Sequence, residues 1–571
     1  MLLEAMSWKQ KKRCLDLLAS EEGWSRKSWG ESLTVCLAYP NLYRTGMSNL
    51  GFHAVYALIN RHPACLCERA FLPEPGDSAE AGGGPLISIE SQRPLADFDI
   101  VAFSLSFEND YPEILRMLEM AGIPIEAAAR GERDPLIIAG GIAVTLNPEP
   151  LADFFDLFLL GEGEAVLPAF LDLATSGQRD LPREAFLARV QKEVAGAYIP
   201  RFYRVTYAED GRIAAREPVD PAFPRRIARP WAPDLDAFAT EQAITAADTE
   251  FGAMFATEVS RGCRRGCRFC AAGFVCRPAR FRSAAVLTDS FRRGLEKRKK
   301  IGLVGTAVSD HPDLIPLCRS ILGAGGSVAI GSLRLDRFSA DMAALLKETG
   351  VETVALAPEA GSQRLRDVIR KGISEAEIFS AVEKLIDCDM VQARLYFMVG
   401  LPTETDEDID AIVRLVKGME HHARLYSKGK KGFRRLTLSI NQFIPKPGTP
   451  FQWHPLADTA VVKRRIRRIA DALRGEKAVR VIHDIPKWNY IQALLSLGDR
   501  TVGRLLLAVH RRAGNWANAF REVNVNPDFY VYRRKDAGEI LPWDFIDHGA
   551  DKTLLLNEYR KAIGDIDRGK G

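Results

Sequence analysis

The sequence predicts an α/β protein with two parallel-sheet domains, and two observations support this. Short apolar, β-branched runs alternate with helical stretches before residue 181 and again after residue 250, as in sheets covered by helices. Between them, alternation around Asp210–Gly211 indicates a hairpin, and a proline-rich stretch follows. We therefore expect a Rossmann-like domain, a partial TIM barrel and a mainly helical C-terminal region. The expected segments are a lead-in (1–30), the Rossmann-like domain (31–180), the hairpin and linker (181–249), the barrel (250–480) and the helical region (481–571).

Length and composition indicate ordinary folded domains. The 571 residues are 47% hydrophobic and 27% charged, and 78 basic against 74 acidic residues leave a net charge of +4. This balance neither requires nor excludes a polyanionic substrate. The N-terminus has no apolar stretch followed by a small-residue cleavage site, and no run of about 18 apolar residues occurs. We expect a cytoplasmic protein without a membrane span. In such a chain, ten cysteines indicate reduced thiols or metal ligands rather than disulfides.

Four buried strands are predicted in the first domain. They are LTVCLAYP (33–40), FDIVAFSLS (98–106), PLIIAGG (135–141) and DLFLLGEGE (156–164). In a parallel sheet the ligand crevice lies at the carboxyl ends of the strands, where small residues let a large planar or phosphorylated ligand approach the backbone. Ordinary turn chemistry is the alternative for any single loop. The candidate ligand-contacting residues at these ends are Gly46, Ser48, Asn49, Ser104, Ser106, Gly140, Gly141, Gly161 and Glu162.

About six β–α units are predicted after residue 250. Five strands stand out in this part: ATEVSRG (256–262), SVAIGSLRLD (327–336), VETVALAPEAG (351–361), VQARLYFMVGLP (391–402) and RLTLSINQFIP (435–445). Ser339 and Gly350 bound one predicted helix, and Ser374 with Glu377 forms a capping box for another. In a barrel of this kind the reactive groups lie on the loops after the strands.

The stretch EVSRGCRRGCRFCAAGFVCRP (258–278) holds four of the ten cysteines. Cys263, Cys267 and Cys270 form a C-x3-C-x2-C run, and Cys276 follows. Structural zinc usually takes four ligands from two separate pairs, whereas three thiolates suit an iron–sulfur cluster with one iron left open. The spacing favours the open cluster over zinc and over inert thiols.

With Phe269 just before its last cysteine, this loop resembles that of the radical S-adenosylmethionine (radical SAM) superfamily. Three downstream segments resemble the family's SAM-binding positions: SLR (332–334), APEAGSQRLRDVIRKG (357–372) and YFMVGLPTET (396–405). The resemblance implies a 4Fe-4S cluster held by Cys263, Cys267 and Cys270. It implies SAM contacts by Phe269, Ser332, Arg334, Glu359, Gly400 and Pro402.

The N-terminal domain resembles the cobalamin-binding domain of class B radical SAM enzymes. YPNLYRTGMSNLG, CERAFLPEP, SLSFENDYPEIL, IAGGIAVTLNPEPLADFFDLFLLGEGE and FIPKPGTPFQWHP together resemble one uncharacterised subfamily over nearly the whole chain. The resemblance implies cobalamin at the strand ends of the first domain. Two features depart from the family. The D-x-H-x-x-G signature is absent, so His53 is expected to be a packed or surface histidine and cobalamin to lack a protein imidazole. Cys276 stands where relatives have an aromatic, and we expect an incidental thiol.

The resemblance implies reductive cleavage of SAM to a 5′-deoxyadenosyl radical that abstracts hydrogen from an unactivated carbon. A one-electron donor such as flavodoxin or ferredoxin is implied as partner. Methylation of an unknown substrate is the expected outcome, and radical rearrangement or ring formation is the alternative. Arg394 is a further candidate for substrate or cofactor contacts, or for a barrel-interior salt bridge.

Three rival interpretations remain. Methylthiotransfer needs a second cluster, and Cys36, Cys65 and Cys67 do not match the spacing of one. A cofactor-binding sensor without turnover belongs to a different class of function. The basic stretches 427–435 and 462–469 are compatible with nucleic acid, although such runs more often form solvated surfaces.

Overall fold

The computed structural model describes residues 8–30, 32–74, 85–176, 181–331, 333–429 and 432–564. These residues form eighteen strands and nineteen α-helices. The strands are β1 (Leu33–Leu42), β2 (Cys65–Leu72), β3 (Ile100–Ser104), β4 (Leu136–Gly140), β5 (Leu157–Leu159), β6 (Ala197–Tyr198), β7 (Tyr203–Tyr207), β8 (Ile213–Pro218), β9 (Ile227–Ala228), β10 (Met254–Arg261), β11 (Arg280–Phe281), β12 (Lys300–Gly305), β13 (Ser327–Ile330), β14 (Val354–Glu359), β15 (Gln392–Val399), β16 (Arg435–Gln442), β17 (Val479–His483) and β18 (Ile546–Asp547).

The helices alternate with many of these strands along the chain. They are α1 (Trp8–Ser20), α2 (Tyr43–Gly46), α3 (Leu50–Arg61), α4 (Tyr111–Met120), α5 (Ile142–Leu146), α6 (Gly163–Thr175), α7 (Arg183–Glu193), α8 (Ala284–Lys297), α9 (Leu314–Gly323), α10 (Ala340–Glu348), α11 (Gln363–Val368), α12 (Glu375–Asp387), α13 (Asp406–Tyr426), α14 (Thr459–Leu473), α15 (Pro486–Leu497), α16 (Val502–Arg511), α17 (Trp516–Glu522), α18 (Pro527–Val531) and α19 (Lys552–Ile563). The chain divides into two compact units. The first unit is built from 1–252, 494–530 and 538–548, and the second from 253–493, 531–537 and 549–571.

The first unit is built on a six-stranded sheet in the order β2-β1-β3-β4-β5-β6. All neighbours pair in parallel except β5 and β6. The strand order reverses between β1 and β3, which places a topological switch point at their carboxyl ends. The four predicted strands are confirmed as β1, β3, β4 and β5, because each is a short apolar run that is buried in the sheet.

Strand β2 was not among the predicted strands because its sequence, CLCERAFL, carries two charged residues. The structure buries both and provides partners from distant segments. Arg69 pairs with Glu21 at 2.7 Å and with Glu90 at 2.6 Å. Glu68 accepts hydrogen bonds from Trp29, Ser88 and Ser91. Charged side chains are buried in a strand only when they are paired in this way.

The second unit contains seven parallel strands that follow one another in chain order. β10, β12 and β13 form one group and β14 to β17 another, and a parallel bridge between Leu333 and Leu356 connects the two groups. β11 pairs antiparallel with the outer edge of β10. This is the predicted partial barrel. The predicted capping box is present, since Ser374 and Glu377 exchange hydrogen bonds across the start of α12.

The C-terminal region does not form the single helical segment that the sequence predicts. The first unit also extends beyond the expected domain boundary at residue 180. Residues 181–252 belong to the first unit, where β6 closes the edge of the sheet. Residues 494–530 also belong there. The Asn147 side-chain amide donates hydrogen bonds to the carbonyls of Ser496 and Gly498, and Arg500 pairs with the buried Glu149 at 3.0 Å. These contacts lie about 350 residues apart in sequence, so local patterns cannot reveal them. No helix among the described residues is long and apolar enough to cross a membrane.

Candidate active site

The three-cysteine loop follows β10, the first strand of the partial barrel. Gly262 begins the loop with φ +76°, and a Cβ there would lie 2.2 Å from the carbonyl oxygen of Cys276. Only glycine fits this turn. Cys267 is buried, whereas Cys263 and Cys270 are partly exposed. The structure thus places all three predicted ligands at the carboxyl end of a barrel strand, where barrel enzymes carry their reactive groups.

The environment of the thiols combines burial with positive charge. Burial raises the pKa of Cys270 to about 11. Burial also raises the pKa of Cys267, and the nearby Lys371 and Arg334 act in the opposite direction. Among the described residues, no three His, Cys, Asp or Glu side chains are already gathered as a metal site. The donor chemistry still fits, because thiolates are the ligands of iron–sulfur clusters and metal binding deprotonates the thiol.

Glu359, the predicted SAM contact, has an unusual backbone. Its φ is +67°, and the β14–β15 pairing shifts register between Leu356 and Glu359. A non-glycine residue with a positive φ of this kind costs about 1–3 kcal/mol in backbone strain, and such residues cluster at functional sites. The carboxylate pairs at 2.9 Å with Lys371, whose side chain is 8% exposed. The sequence pattern did not single out Lys371, although it lies within segment 357–372.

A shared carboxylate connects Arg334 to the cluster loop. Asp336 pairs with Arg334 at 2.9 Å and with Arg265 of the loop at 3.0 Å. Arg265 also pairs with Asp310 at 3.3 Å. The structure therefore brings Arg334 beside the loop, and its contact with SAM stays a prediction. Ser332 lies outside the described residues, and Arg394 on β15 is exposed.

Arg268 lies between Cys267 and Cys270 in the sequence and connects the cluster loop to two other segments of the second unit. Its guanidinium pairs with Glu558 of α19 at 3.0 Å and donates to the carbonyl of Val368 at 2.7 Å. Its backbone N–H donates to the carbonyl of Ile369 at 3.0 Å. The neighbouring Phe269 is partly exposed. The loop is thus docked on segment 367–369 and on the C-terminal helix.

The end of β15 holds Gly400 and Pro402 in a tight turn. Gly400 has φ +83°, and a Cβ there would lie 2.8 Å from Ala457. Its N–H donates to Glu404 at 2.7 Å, and Arg465 pairs with the same carboxylate at 2.6 Å. Burial raises the pKa of Glu404 to about 7 despite these contacts. Pro402 is buried, and the contacts of Gly400 with the chain itself account for the glycine at this position.

In the first unit, Asn49 and Ser106 meet at the switch point. The Asn49 side-chain amide donates to the Ser106 hydroxyl at 2.9 Å, and its oxygen caps α3 by accepting from Phe52 N–H. Ser104 and Gly140 are register partners at the ends of β3 and β4, and both are partly exposed. These four residues lie where a doubly wound sheet binds its ligand.

The other five candidates have contacts within the protein that account for their residue types, and their contact with a ligand stays a prediction. A Cβ on Gly141 or Gly161 would lie 2.3 Å from the carbonyl oxygen of Leu105 or 2.5 Å from that of Pro230. A Cβ on Gly46 would lie 2.4 Å from the Phe71 ring. Glu162 accepts from the Ala232 N–H, and Ser48 donates to the Arg44 carbonyl. These residues stabilise turns.

His53 is a packed histidine. It is buried, its Nδ1 accepts from the Ile244 N–H, and its Nε2 donates to the Met47 carbonyl at 2.9 Å. Burial lowers its pKa to about 4, so the ring is neutral and both nitrogens have partners. Cys36 and Cys67 lie within β1 and β2, and burial raises the pKa of both thiols. His53, Cys36 and Cys67 are thus buried within a helix and two strands, unlike the cysteines of the cluster loop.

Two family models match the chain. One describes the N-terminal part of radical SAM proteins and covers residues 51–200, and the other describes the radical SAM superfamily and covers 257–416. The second match begins on β10 and includes the cluster loop and Glu359.

The chain belongs to the radical SAM superfamily.

Among curated proteins, an uncharacterised protein of Methanocaldococcus jannaschii is 28% identical over 476 residues, 83% of this chain and 90% of that protein. A protein of Pyrococcus horikoshii named as an uncharacterised methyltransferase is 24% identical over 50% of this chain and 58% of its own.

Two solved radical SAM structures are also similar to this chain. OxsB, a cobalamin-dependent enzyme solved with aqua-cobalamin and SAM bound, has a TM-score of 0.45 and 14% identity; the match covers 70% of this radical SAM chain and 55% of OxsB. The methyltransferase TsrM from Kitasatospora setae, solved with cobalamin and a [4Fe-4S] cluster, has a TM-score of 0.46 and 13% identity, with 72% of each chain covered.

Proposed function

We propose that this radical SAM chain cleaves SAM reductively at a 4Fe-4S cluster held by Cys263, Cys267 and Cys270. The observation that carries the proposal is the three-cysteine loop at the end of the first strand of the partial barrel. When bound, the cluster supplies one electron to SAM, which yields methionine and a 5′-deoxyadenosyl radical. The remaining work, which belongs to the chain's own residues, is to bind and orient SAM and to exclude water.

Glu359 and Lys371 suit the amino-acid part of SAM. They form a partly buried pair beside the cluster cysteines, so a zwitterion finds an acceptor for its ammonium group and a cation for its carboxylate. When SAM binds, one ion pair to its ammonium group and one to its carboxylate would replace the pair between Glu359 and Lys371. Neither side chain is then left buried without a partner, which would be costly. Arg334, held by Asp336, is a second candidate for the carboxylate.

The reaction outcome we propose is methylation of an unactivated carbon, with cobalamin bound by the first unit. The 2-1-3-4-5 order of its parallel strands supports a ligand at the β1/β3 switch point. The name of the Pyrococcus relative supports methyl transfer. Ser104, Ser106, Asn49 and Gly140 are the residues that would hold the cofactor. Radical rearrangement, ring formation and methylthiotransfer are the alternative outcomes, and the substrate stays unidentified.

Cysteine variants test the cluster assignment. After anaerobic reconstitution, we expect Cys267→Ala to lose most of its iron and all 5′-deoxyadenosine formation, because two thiolates do not retain the cluster. Cys276→Ala is the matched control and should load and cleave SAM as the unmodified protein does. Iron, sulfide and 5′-deoxyadenosine are measured on the same samples. Equal iron loss in both variants would instead indicate a four-cysteine site, and a cluster that loads fully but yields no 5′-deoxyadenosine under reduction would favour a sensor.

Cobinamide, which lacks the nucleotide base of cobalamin, tests the proposed lower side of the corrin. Because His53 is buried with both nitrogens engaged, we expect Co(II) cobinamide bound to the protein to show no EPR coupling to nitrogen. Stoichiometric corrin measured by absorbance is the required companion result. Nitrogen coupling would show a protein imidazole ligand, and stoichiometric iron without any bound corrin would contradict the methyltransferase proposal while leaving SAM cleavage intact.

A further inference from the structure

The strands β14 to β17 of the second unit have two faces of different composition. Alternate residues of β15 and β16, among them Leu395, Leu436 and Leu438, belong to the hydrophobic core that the surrounding helices cover. Val479 and Val481 of β17 pack against the same core. Since successive side chains of a strand point to opposite faces, the residues between them point away from the helices and into the interior of the partial barrel.

Arg394 on β15 and Arg480 on β17 point into this interior at the same level. Each is a register partner of Thr437 on β16, the strand that lies between them. Because neighbouring strands are about 4.8 Å apart, the Cα atoms of the two arginines lie about 10 Å apart. Both arginines are exposed, and Thr437 between them is buried. Two long guanidinium side chains can therefore converge on one ligand above Thr437.

Neither of these two arginines pairs with a carboxylate among the described residues. The seven parallel strands of the partial barrel carry two carboxylates, Glu258 and Glu359. Glu258 pairs with Arg261 at 2.9 Å, and Glu359 pairs with Lys371 at 2.9 Å. In the part of the chain that the structure describes, two positive charges are thus left unmatched on the inner face of the barrel.

Small residues elsewhere on the inner face leave space for a ligand. A closed barrel fills its interior with layers of bulky, branched side chains. Here Ala329 on β13 and both Ala355 and Ala357 on β14 occupy inward positions, and all three are partly exposed. Val304, at an inward position of β12, is 42% exposed. A ligand can therefore reach the two arginines from within the barrel.

The two arginines lie at a defined distance from the proposed SAM site. Phe397 is the register partner of Glu359 and lies three residues beyond Arg394 along β15. At about 3.3 Å per residue, the level of Arg394 is about 10 Å from that of Glu359, toward the amino ends of the strands. A substrate whose reacting carbon lies beside SAM can thus place a second group, about 10 Å away, between the arginines.

We propose that Arg394 and Arg480 bind an anionic group, a carboxylate or a phosphate, of an elongated substrate. The inference rests on the proposed function, in which SAM supplies the radical at the carboxyl ends of the same strands. Guanidinium groups bind both anions through paired N–H···O hydrogen bonds, and the Thr437 hydroxyl can donate another. Binding of the anion at this end fixes the substrate and so determines which of its carbons faces SAM.

Modification of arginines by phenylglyoxal, measured at each site by mass spectrometry, tests the anion site on the reconstituted protein. Inorganic phosphate or acetate should slow the modification of Arg394 and Arg480 saturably, compared with sodium chloride at equal ionic strength. The expected slowing is about fivefold at four times the dissociation constant of the anion, since only the free site reacts. Arg464 and Arg467, exposed on α14, are the matched controls and should react at an unchanged rate. The anion that protects more strongly identifies the group as phosphate or carboxylate.

A single substitution shows whether the two arginines form one site. In Arg480→Gln, the anion should no longer protect Arg394, because one guanidinium group alone on the inner face holds it far more weakly. Arg467→Gln removes the same charge from the exposed side of α14 and should leave the protection of Arg394 and Arg480 unchanged.

Three results would overturn the anion site. They are protection no greater than that given by chloride, equal slowing at Arg464 and Arg467, and full protection of Arg394 in the Arg480→Gln protein. SAM cleavage without any protection would refute this site and leave the proposed function intact. Protection of both arginines in a protein that never yields 5′-deoxyadenosine would refute the proposed function and not the anion site.

Discussion

Arg268→Ala should lose the cluster although Arg268 is not a ligand. The substitution removes the ion pair with Glu558 and the hydrogen bond to the Val368 carbonyl, and both partners stay in a poorly hydrated site. Breaking a pair of this kind costs about 3–5 kcal/mol when it is fully buried. Glu558 retains Arg370 at 3.3 Å and Lys561 at 3.6 Å, so we expect the loss to fall in the lower part of that range. The loop should then separate from segment 367–369 and from α19.

Iron retention after desalting and the EPR line shape of any remaining cluster are the measurements for Arg268. Glu558→Ala should show the same loss, because it removes the other half of the pair. Asn557→Ala, exposed on the same helix, is the matched control and should retain iron fully. Arg268→Lys should rescue only partly, since a lysine cannot reach Glu558 and the Val368 carbonyl together. Full iron retention in Arg268→Ala would show that the cysteines alone hold the loop.

Asp156→Asn should destabilise the first unit more than any surface change. Asp156 is buried and accepts from Arg130 at 3.1 Å, Arg183 at 2.7 Å and Arg201 at 2.7 Å. It also accepts from the Ile137 N–H at 3.0 Å. The amide would leave three guanidinium groups gathered without their shared counter-charge. Removal of one partner from a buried charge network costs about 3–5 kcal/mol.

Urea or thermal unfolding of the first unit measures this cost. Glu193→Gln is the control, because its pair with Arg189 on α7 is exposed and i,i+4. Such exposed pairs contribute little to the free energy of unfolding, because water and salt screen them. If Asp156→Asn shifted the unfolding midpoint no more than Glu193→Gln, the hydrogen bonds of the three arginines to backbone carbonyls would be sufficient to stabilise them without Asp156. Iron loading of the second unit provides an independent check that the substitution acts on the first.

Local patterns were sufficient for the strands and for the ligand cysteines. β3 and β4 each begin with four consecutive apolar residues, and the C-x3-C-x2-C spacing lies within one loop. Patterns failed where the stabilising partner is distant in the chain. β2 is a strand because Glu21 and Glu90 neutralise Arg69, and neither pairing is visible in CLCERAFL.

Local sequence patterns also failed to predict the contacts that hold the cluster loop. Glu558 lies 290 residues from Arg268, so nothing near the cysteines indicates that the C-terminal helix holds their loop. The glycines at 141 and 161 were predicted to admit a ligand, yet the backbones of Leu105 and Pro230 occupy the space beside them. A glycine at a strand end indicates a close approach, but the sequence does not show what approaches it.

The most direct test of the central claim is EPR of the reduced, reconstituted protein before and after addition of SAM. An open iron at a three-cysteine cluster predicts about four iron per chain and a change in the g values when SAM is added. The Cys267→Ala protein should show neither. A spectrum that SAM leaves unchanged, or one zinc per chain in place of iron, would contradict the account.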